Sequence, residues 1–255
     1  MATFSVNSGV TGDAVSWAVI AALRRELSDL RKLARRNLVF LETGVGTDNA
    51  SKKLTKFLEK TGADFVLGVG MAGALSPSLR VGDLFIVERV IGPSTIVLLP
   101  NLCSLANLVR LNGANIHVGT AVTANEFVCE VNRKRSLAAA LKPDQMGCVD
   151  MESWAVARVC TERRIPFLII RCISDLLEED LPLDFNRCYD SQGDLDALKL
   201  VTATLLRPRA LKGLWQLRGR STLCSQRLAW FVDQFLAIPE VRGLTGVMRP
   251  SSNSS

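Results

Sequence analysis

The chain carries one histidine in 255 residues, and that scarcity removes whole reaction classes. A Ser-His-Asp triad needs an imidazole between nucleophile and acid, and the common zinc sites draw on several imidazoles or clustered cysteines. His117 sits in "NIHVGTAV", a strand-like run, and reads as structural, so no metal site is expected. Seven cysteines (Cys103, Cys129, Cys148, Cys160, Cys172, Cys188 and Cys224) show no CxxC spacing and are odd in number. Most lie in apolar runs and read as reduced core thiols, which points to the cytosol. The opening "MATFSVNSGV" lacks a basic start and an uninterrupted apolar stretch, and nowhere does an apolar run approach the roughly 18 residues that cross a bilayer. Neither a secretory leader nor a membrane span is expected. No internal repeat is visible.

What is present suits a packed enzyme-sized domain. With 48% hydrophobic and 22% charged residues, the chain can bury a full core, and one large α/β domain is the natural reading. Short apolar runs at 17–23, 37–44, 64–70, 83–90, 115–122 and 166–174 alternate with helical patterns at 24–34, 50–62, 130–141 and 151–163. That alternation predicts a mainly parallel sheet covered by helices. Residues 1–16 read as an extension, 17–200 as the main domain, 201–240 as a basic helical extension packed on it, and 241–255 as a disordered tail. Further helices are expected near 195–206, 209–218 and 221–237.

Two glycine stretches and one acidic pair carry the chemistry. "TGVGTDNA" (43–50) joins a strand to a helix, where glycines let backbone N–H groups approach an anion or a sugar; alone it is also a tight turn. "GVGMAGALSPSLRVGD" (68–83) follows a neighbouring strand, and a second such stretch favours a ligand site at the sheet's carboxyl edge. In "CVDMESWAV" (148–156), Asp150 and Glu152 straddle Met151 among residues that suggest burial, and a buried charge needs a partner. "CISD" ends an apolar strand, which brings Asp175 to the same edge.

Together with "AVIAALRREL" (18–27), "VDMES" (149–153) and "IIRCISD" (169–175), these stretches resemble the purine nucleoside phosphorylase and nucleosidase superfamily over about residues 17–200. The resemblance implies a three-layer α/β/α sandwich around a mixed, mainly parallel sheet, with the C-terminal helices as an addition. It makes Glu26 the base that activates the attacking water, although on periodicity alone Glu26 faces solvent. It makes Asp175 the acid at purine N7 and Glu152 the acceptor of ribose hydroxyls, with Met151 against the sugar. Phe127, in "TANEFVC", corresponds to an aromatic that stacks on the base, or is a plain core residue. Met71, Gly73 and Ser174 complete the substrate-binding set. Asp150 reads equally as a favourable charge at a helix start.

The superfamily includes hydrolases and phosphorylases. Met71 stands where a phosphate-binding hydroxyl would, and a thioether cannot donate to phosphate; water is the expected acceptor, with Arg24, Arg25 and Arg171 as the available anion binders, although Arg171 also belongs to the family's Arg-x-Ile-Ser-Asp pattern and reads equally as structural. "GMAGAL" and the long C-terminal extension are most similar to the hopanoid-associated branch, which implies hydrolysis of adenosylhopane to adenine and ribosylhopane. The alternatives are a methylthioadenosine or adenosylhomocysteine nucleosidase, a phosphate-dependent phosphorylase, or a nucleoside-binding protein without turnover. No metal or organic cofactor is implied, and homo-oligomers are usual in the family. Between Val201 and Val232, Arg207, Arg209, Lys212, Arg218, Arg220 and Arg227 mingle with leucine, tryptophan and phenylalanine. That mixture suits either a membrane-surface helix, making the protein peripheral on the membrane's cytoplasmic face, or a helix packed on the sheet with a solvated basic face. A net charge of +6 without a recognition motif does not indicate nucleic-acid binding.

Overall fold

The computed structural model describes residues 16–33, 38–92, 96–98, 106, 109, 115–188 and 210–241. Among the described residues there are eight strands: β1 (Trp17–Ala21), β2 (Leu38–Glu42), β3 (Phe65–Ala74), β4 (Leu84–Ile91), β5 (Ile96–Leu98), β6 (Ile116–Thr123), β7 (Gly147–Asp150) and β8 (Phe167–Asp175). The helices are α1 (Thr47–Lys60), α2 (Val131–Ala138), α3 (Ser153–Glu162) and α4 (Ala210–Ala237). Six strands stand where apolar runs predict them. β5 and β7 are three and four residues long, too short for a periodic signal.

The sheet is mixed. β1 pairs parallel with β2 and β3, β3 parallel with β8, and β4 parallel with β6, while β8 runs antiparallel to β4. β7 joins β6 in parallel and meets the end of β3 antiparallel. Strands β3, β8, β4, β6 and β7 therefore form a closed ring, with β1 and β2 as a wing. Alternation along the strands sorts side chains to two faces. Trp17, Val19, Ala21, Phe65, Leu67 and Val69 pack toward α4, and Ala18, Ile20, Val66 and Ala72 toward α1 and α3.

The second glycine stretch is strand rather than loop as far as Ala74, with a register shift between Ala72 and Gly73. Its glycines thin β3 where neighbours press on it. A side chain at Gly70 would collide with the Arg171 guanidinium, and one at Gly73 would stand 2.9 Å from Asp175 Oδ2. The helix expected at 24–34 is two separate 3₁₀ turns, Arg24–Leu27 and Leu30–Lys32. Between them the Ser28 hydroxyl bonds Arg25 O at 2.8 Å, and such local side-chain bonds compete with helix propagation.

The helices expected at 209–218 and 221–237 are one 28-residue helix, α4; the helix expected near 195–206 lies outside the described residues. Leu228, Phe231, Val232 and Phe235 of its second half are buried in the core, with Phe235 edge-on to Trp17 at 6.0 Å. Arg220 binds the Glu179 carboxylate at 2.8 Å and Arg227 Nη1 donates to Gly82 O at 2.6 Å. Two of the six basic residues thus serve internal contacts, Lys212 and Arg218 are exposed, and Arg207 and Arg209 lie outside the described residues. All six described cysteines are free thiols, and five of them are buried.

Candidate active site

A cavity of about 650 Å³ opens at the carboxyl edge of the sheet, lined by Glu26, Met71, Gly73, Phe127, Met151, Glu152, Ser174 and Asp175 among others. Every residue the sequence singles out for substrate or catalysis therefore reaches one space.

Glu26 is 5% exposed. The turn after β1 folds its side chain inward, where Oε2 accepts from Leu23 N at 2.9 Å and Oε1 from Met71 N at 3.0 Å. The solvent-facing alternative does not hold, because two backbone donors fix the carboxylate over β3. Each oxygen keeps a lone pair for a further donor such as water.

Glu152 ends up at the start of α3 and lines the same cavity. Its Oε1 accepts from Gly46 N at 2.8 Å. Gly46 has φ 98°, a left-handed conformation that a glycine adopts without strain, and this turns the amide toward the carboxylate. The first glycine stretch thus serves Glu152 as well as starting α1. Thr47 Oγ1 braces the same corner by donating to Met151 O at 3.1 Å.

Burial, then the neighbouring Asp150 charge, pushes Glu152 up to about 8, against the opposing pull of Arg171 and the Gly46 amide. A carboxyl whose folded pKa is raised takes up a proton on folding, so its stability cost grows as pH rises from the unfolded value to the folded one. Glu152→Gln removes that cost and keeps an acceptor for Gly46. The variant is expected to match wild type near pH 4.5 and to gain stability up to about pH 8, by at most about 1.4 kcal/mol per pH unit. Denaturant titrations across that range check it; a constant difference between the two proteins would refute the assigned environment.

Asp150 does not reach outward. It is 6% exposed and accepts from Arg171 Nε at 2.6 Å, from Thr123 Oγ1 at 3.0 Å, and from the backbone and hydroxyl of Ser153. Arg171 is itself buried and donates Nη2 to Ser153 Oγ at 3.0 Å. Burial works against its charge, and the carboxylates of Asp150, Glu152 and Glu26 outweigh that effect and raise its pKa. Arg171 is an internal cation beneath the acidic site. Of the three arginines considered for phosphate, only Arg25 lines the cavity.

Asp175 emerges from the end of β8, 7% exposed, with Ser174 Oγ donating to its Oδ1 at 2.7 Å. Its Oδ2 lies 2.6 Å from the ammonium of Lys134, a residue with no assigned role in the sequence reading. A signal existed: in α2, Lys134 falls three residues after Val131 and three before Leu137, on the stripe that should be apolar. Phe127 and Phe185 face the cavity with ring centroids 6.0 Å apart. Asn186 holds the Phe127 backbone from both sides, accepting from its N–H at 2.6 Å and donating to its carbonyl at 3.0 Å. His117 is elsewhere, with Nε2 3.2 Å from Asp83 Oδ2.

Comparison with known proteins follows the same lines. The family model of the Phosphorylase superfamily matches residues 30–194. A 5'-methylthioadenosine/S-adenosylhomocysteine nucleosidase of Shewanella oneidensis is 29% identical over 201 residues, covering 71% of this chain and 84% of the relative. The enzyme of that name from Geobacillus kaustophilus is 30% identical over 173 residues, covering 60% and 73%. Among solved structures, a futalosine hydrolase mutant of Helicobacter pylori superposes with TM-score 0.68 at 16% identity, covering 88% of this chain and 99% of that one. A Neisseria meningitidis nucleosidase in complex with methylthio-immucillin-A gives 0.67 at 19%, covering 88% and 99%. The fold is the nucleoside phosphorylase-like α/β fold with a mixed sheet, and the relatives found by sequence are N-glycosyl hydrolases. None of these relatives is named for a hopanoid substrate. On the match over most of its length, this chain belongs to the Phosphorylase superfamily.

Proposed function

We propose that the chain is a purine nucleoside N-ribosyl hydrolase that releases adenine from a 5'-substituted adenosine, with thioether nucleosides of the methylthioadenosine or adenosylhomocysteine kind as substrates. The observation that carries this reading is the convergence of Glu26, Glu152 and Asp175, from three separate elements, on one cavity. The identity of the sequence relatives supports the thioether class.

In this reading the base lies between Phe127 and the Asp175 end of the cavity, and the ribose rests on Met151 with its hydroxyls donating to Glu152. Glu26 takes a proton from a water as the water oxygen attacks C1'. The C1'–N9 bond breaks, its electron pair passes into the purine, and N7 takes a proton from Asp175. The division of labour resembles other glycoside hydrolysis, where acid and base flank an oxocarbenium-like transition state. Glu152 serves by holding the sugar so that both proton transfers meet at one carbon.

A second reading has its own support. Leu211, Leu214, Trp215 and Leu217 of α4 line the outer cavity, and Trp215 is 80% exposed. Large exposed apolar side chains beside exposed Lys212 and Arg218 suit a long apolar 5' substituent presented at a membrane surface. Adenosylhopane hydrolysis to ribosylhopane is the form of this reading that the sequence resemblance suggests.

One experiment ranks the readings. Adenine release is measured from methylthioadenosine, adenosylhomocysteine and adenosylhopane in detergent, each with and without phosphate. Phosphate-independent release favouring the thioethers supports the first reading; release confined to the lipid nucleoside would replace it with the second. A strict phosphate requirement would overturn hydrolysis itself.

A further inference from the structure

Lys134 has no part in the mechanism above, yet its side chain is fully buried and its ammonium is completely engaged. Nζ lies 2.6 Å from Asp175 Oδ2, 2.7 Å from Leu176 O and 2.8 Å from Glu179 O. Three acceptors match the three N–H groups of an ammonium. Asp175 in turn accepts on both oxygens, from Lys134 and from Ser174 Oγ. The group that must protonate the leaving base is therefore arranged as an acceptor on both oxygens, and the N–H groups beside it belong to Lys134. Protonating a leaving group near neutral pH usually relies on a carboxyl kept neutral by its surroundings; here a cation is its nearest partner.

We propose that Lys134 and Asp175 work as one proton-carrying pair, in which Lys134 supplies the proton that Asp175 delivers to the departing purine. The inference rests on the hydrolase reading. As C1'–N9 breaks, its electron pair enters the purine ring. A Lys134 N–H bond breaks as an Asp175 O–H bond forms, and that O–H bond breaks as N7–H forms. Lys134 is left as a neutral amine with two N–H groups, and two carbonyls, Leu176 O and Glu179 O, remain to receive them. Its proton is regained from water after the base departs. Lys134 does not touch substrate and is a positioning residue for Asp175.

The surroundings hold the pair in place. Leu176 N donates to Glu179 Oε2 at 3.3 Å, Arg220 of α4 binds the same carboxylate at 2.8 Å, and Val131 N at the start of α2 donates to Asp180 Oδ1 at 2.7 Å. The loop after Asp175 is thus tied both to the start of the helix bearing Lys134 and to α4. The titratable and charged groups facing the pair are Glu179, the thiol of Cys129 and, beyond Glu179, Arg220.

The test is Lys134→Met, read by adenine release and by release of nitrophenolate from a nitrophenyl riboside, whose leaving group needs no proton. Adenine kcat is expected to fall about 10²–10³-fold at pH 8 with KM changed less than about threefold. Nitrophenolate release should stay within about threefold of wild type. Equal losses for both leaving groups would overturn the proposal. Because Lys134→Met can also weaken the fold, Lys134→Met is added to Asp175→Asn. If Lys134 acts through Asp175, the double variant releases adenine no more slowly than Asp175→Asn alone; additive losses refute it. Wild type assayed in parallel separates the two levels: absence of adenine release from wild type refutes the hydrolase reading, whereas equal release by wild type and Lys134→Met refutes only the role of Lys134.

Discussion

Replacing Asp175 with asparagine is expected to slow adenine release about 10²–10⁴-fold while the nucleoside still binds. The amide matches the carboxylate in shape, so it can stay above Gly73 and accept from Lys134 through its carbonyl. What it cannot do is receive a proton and hand it to a purine nitrogen. A second effect comes with the first. Lys134 is fully buried beside Asp175, and removing one partner of a buried ion pair leaves the other uncompensated, at a typical cost of about 3–5 kcal/mol. For a chain of this size each kcal/mol lowers the melting temperature by roughly 2–4 °C. The variant should therefore be slow and less stable together, with methylthioadenosine binding retained by calorimetry at a temperature where it is folded. Turnover within a few-fold of wild type would remove Asp175 from the leaving-group role. Unchanged stability would mean that its bond to Lys134 contributes little.

Glu26→Gln should produce a comparable loss, about 10²–10⁴-fold in kcat, for a different physical reason. Both carboxylate oxygens accept a backbone N–H, from Leu23 and from Met71. Glutamine offers one acceptor oxygen and turns an NH₂ group toward the other donor. One buried N–H then faces a hydrogen rather than a lone pair, which costs about 1–3 kcal/mol, and the group has lost its capacity to take a proton from water. Solvent isotope effects and single-turnover rates would show the loss in the chemical step. If Glu26→Gln hydrolysed methylthioadenosine at the wild-type rate, some other group would have to accept the proton of the attacking water.

Much of this arrangement is legible in the sequence, and the rest is hidden for identifiable reasons. Six strands announce themselves as apolar runs, because strands buried on both faces need no polar alternation. Asp175 is legible as a charge at the end of such a run. Glu26 is not, since its turn is too short to show which side faces inward; only its resemblance to a family motif singles it out. The packing role of Gly70 and Gly73 is invisible without coordinates, because the space they leave is filled by Arg171 and Asp175, about a hundred residues further on. Lys134 is the instructive miss. Surrounded by Arg133 and Arg135, it reads as part of a solvated basic face, and only its place on the stripe between Val131 and Leu137 separates it from them. The roles of Asp150 and Arg171 were legible as alternatives, and the buried ion pair that joins the end of β7 to β8 decides for the interior.

Helix α4 joins two environments in one element, and that gives it two local stabilities. Its second half is welded to the sheet by Phe231, Val232 and Phe235, so amides there should exchange with solvent only when the whole protein opens. The first half bears exposed Leu211 and Trp215 and the interior glycines Gly213 and Gly219, each of which costs a helix about 1 kcal/mol relative to alanine. Amides from about Leu211 to Gly219 should therefore exchange through local fraying, orders of magnitude faster than those near Phe231. A substituent reaching past Leu211 and Trp215 would meet the less stable half of the helix, while Glu26, Glu152 and Asp175 stand on the more stable core.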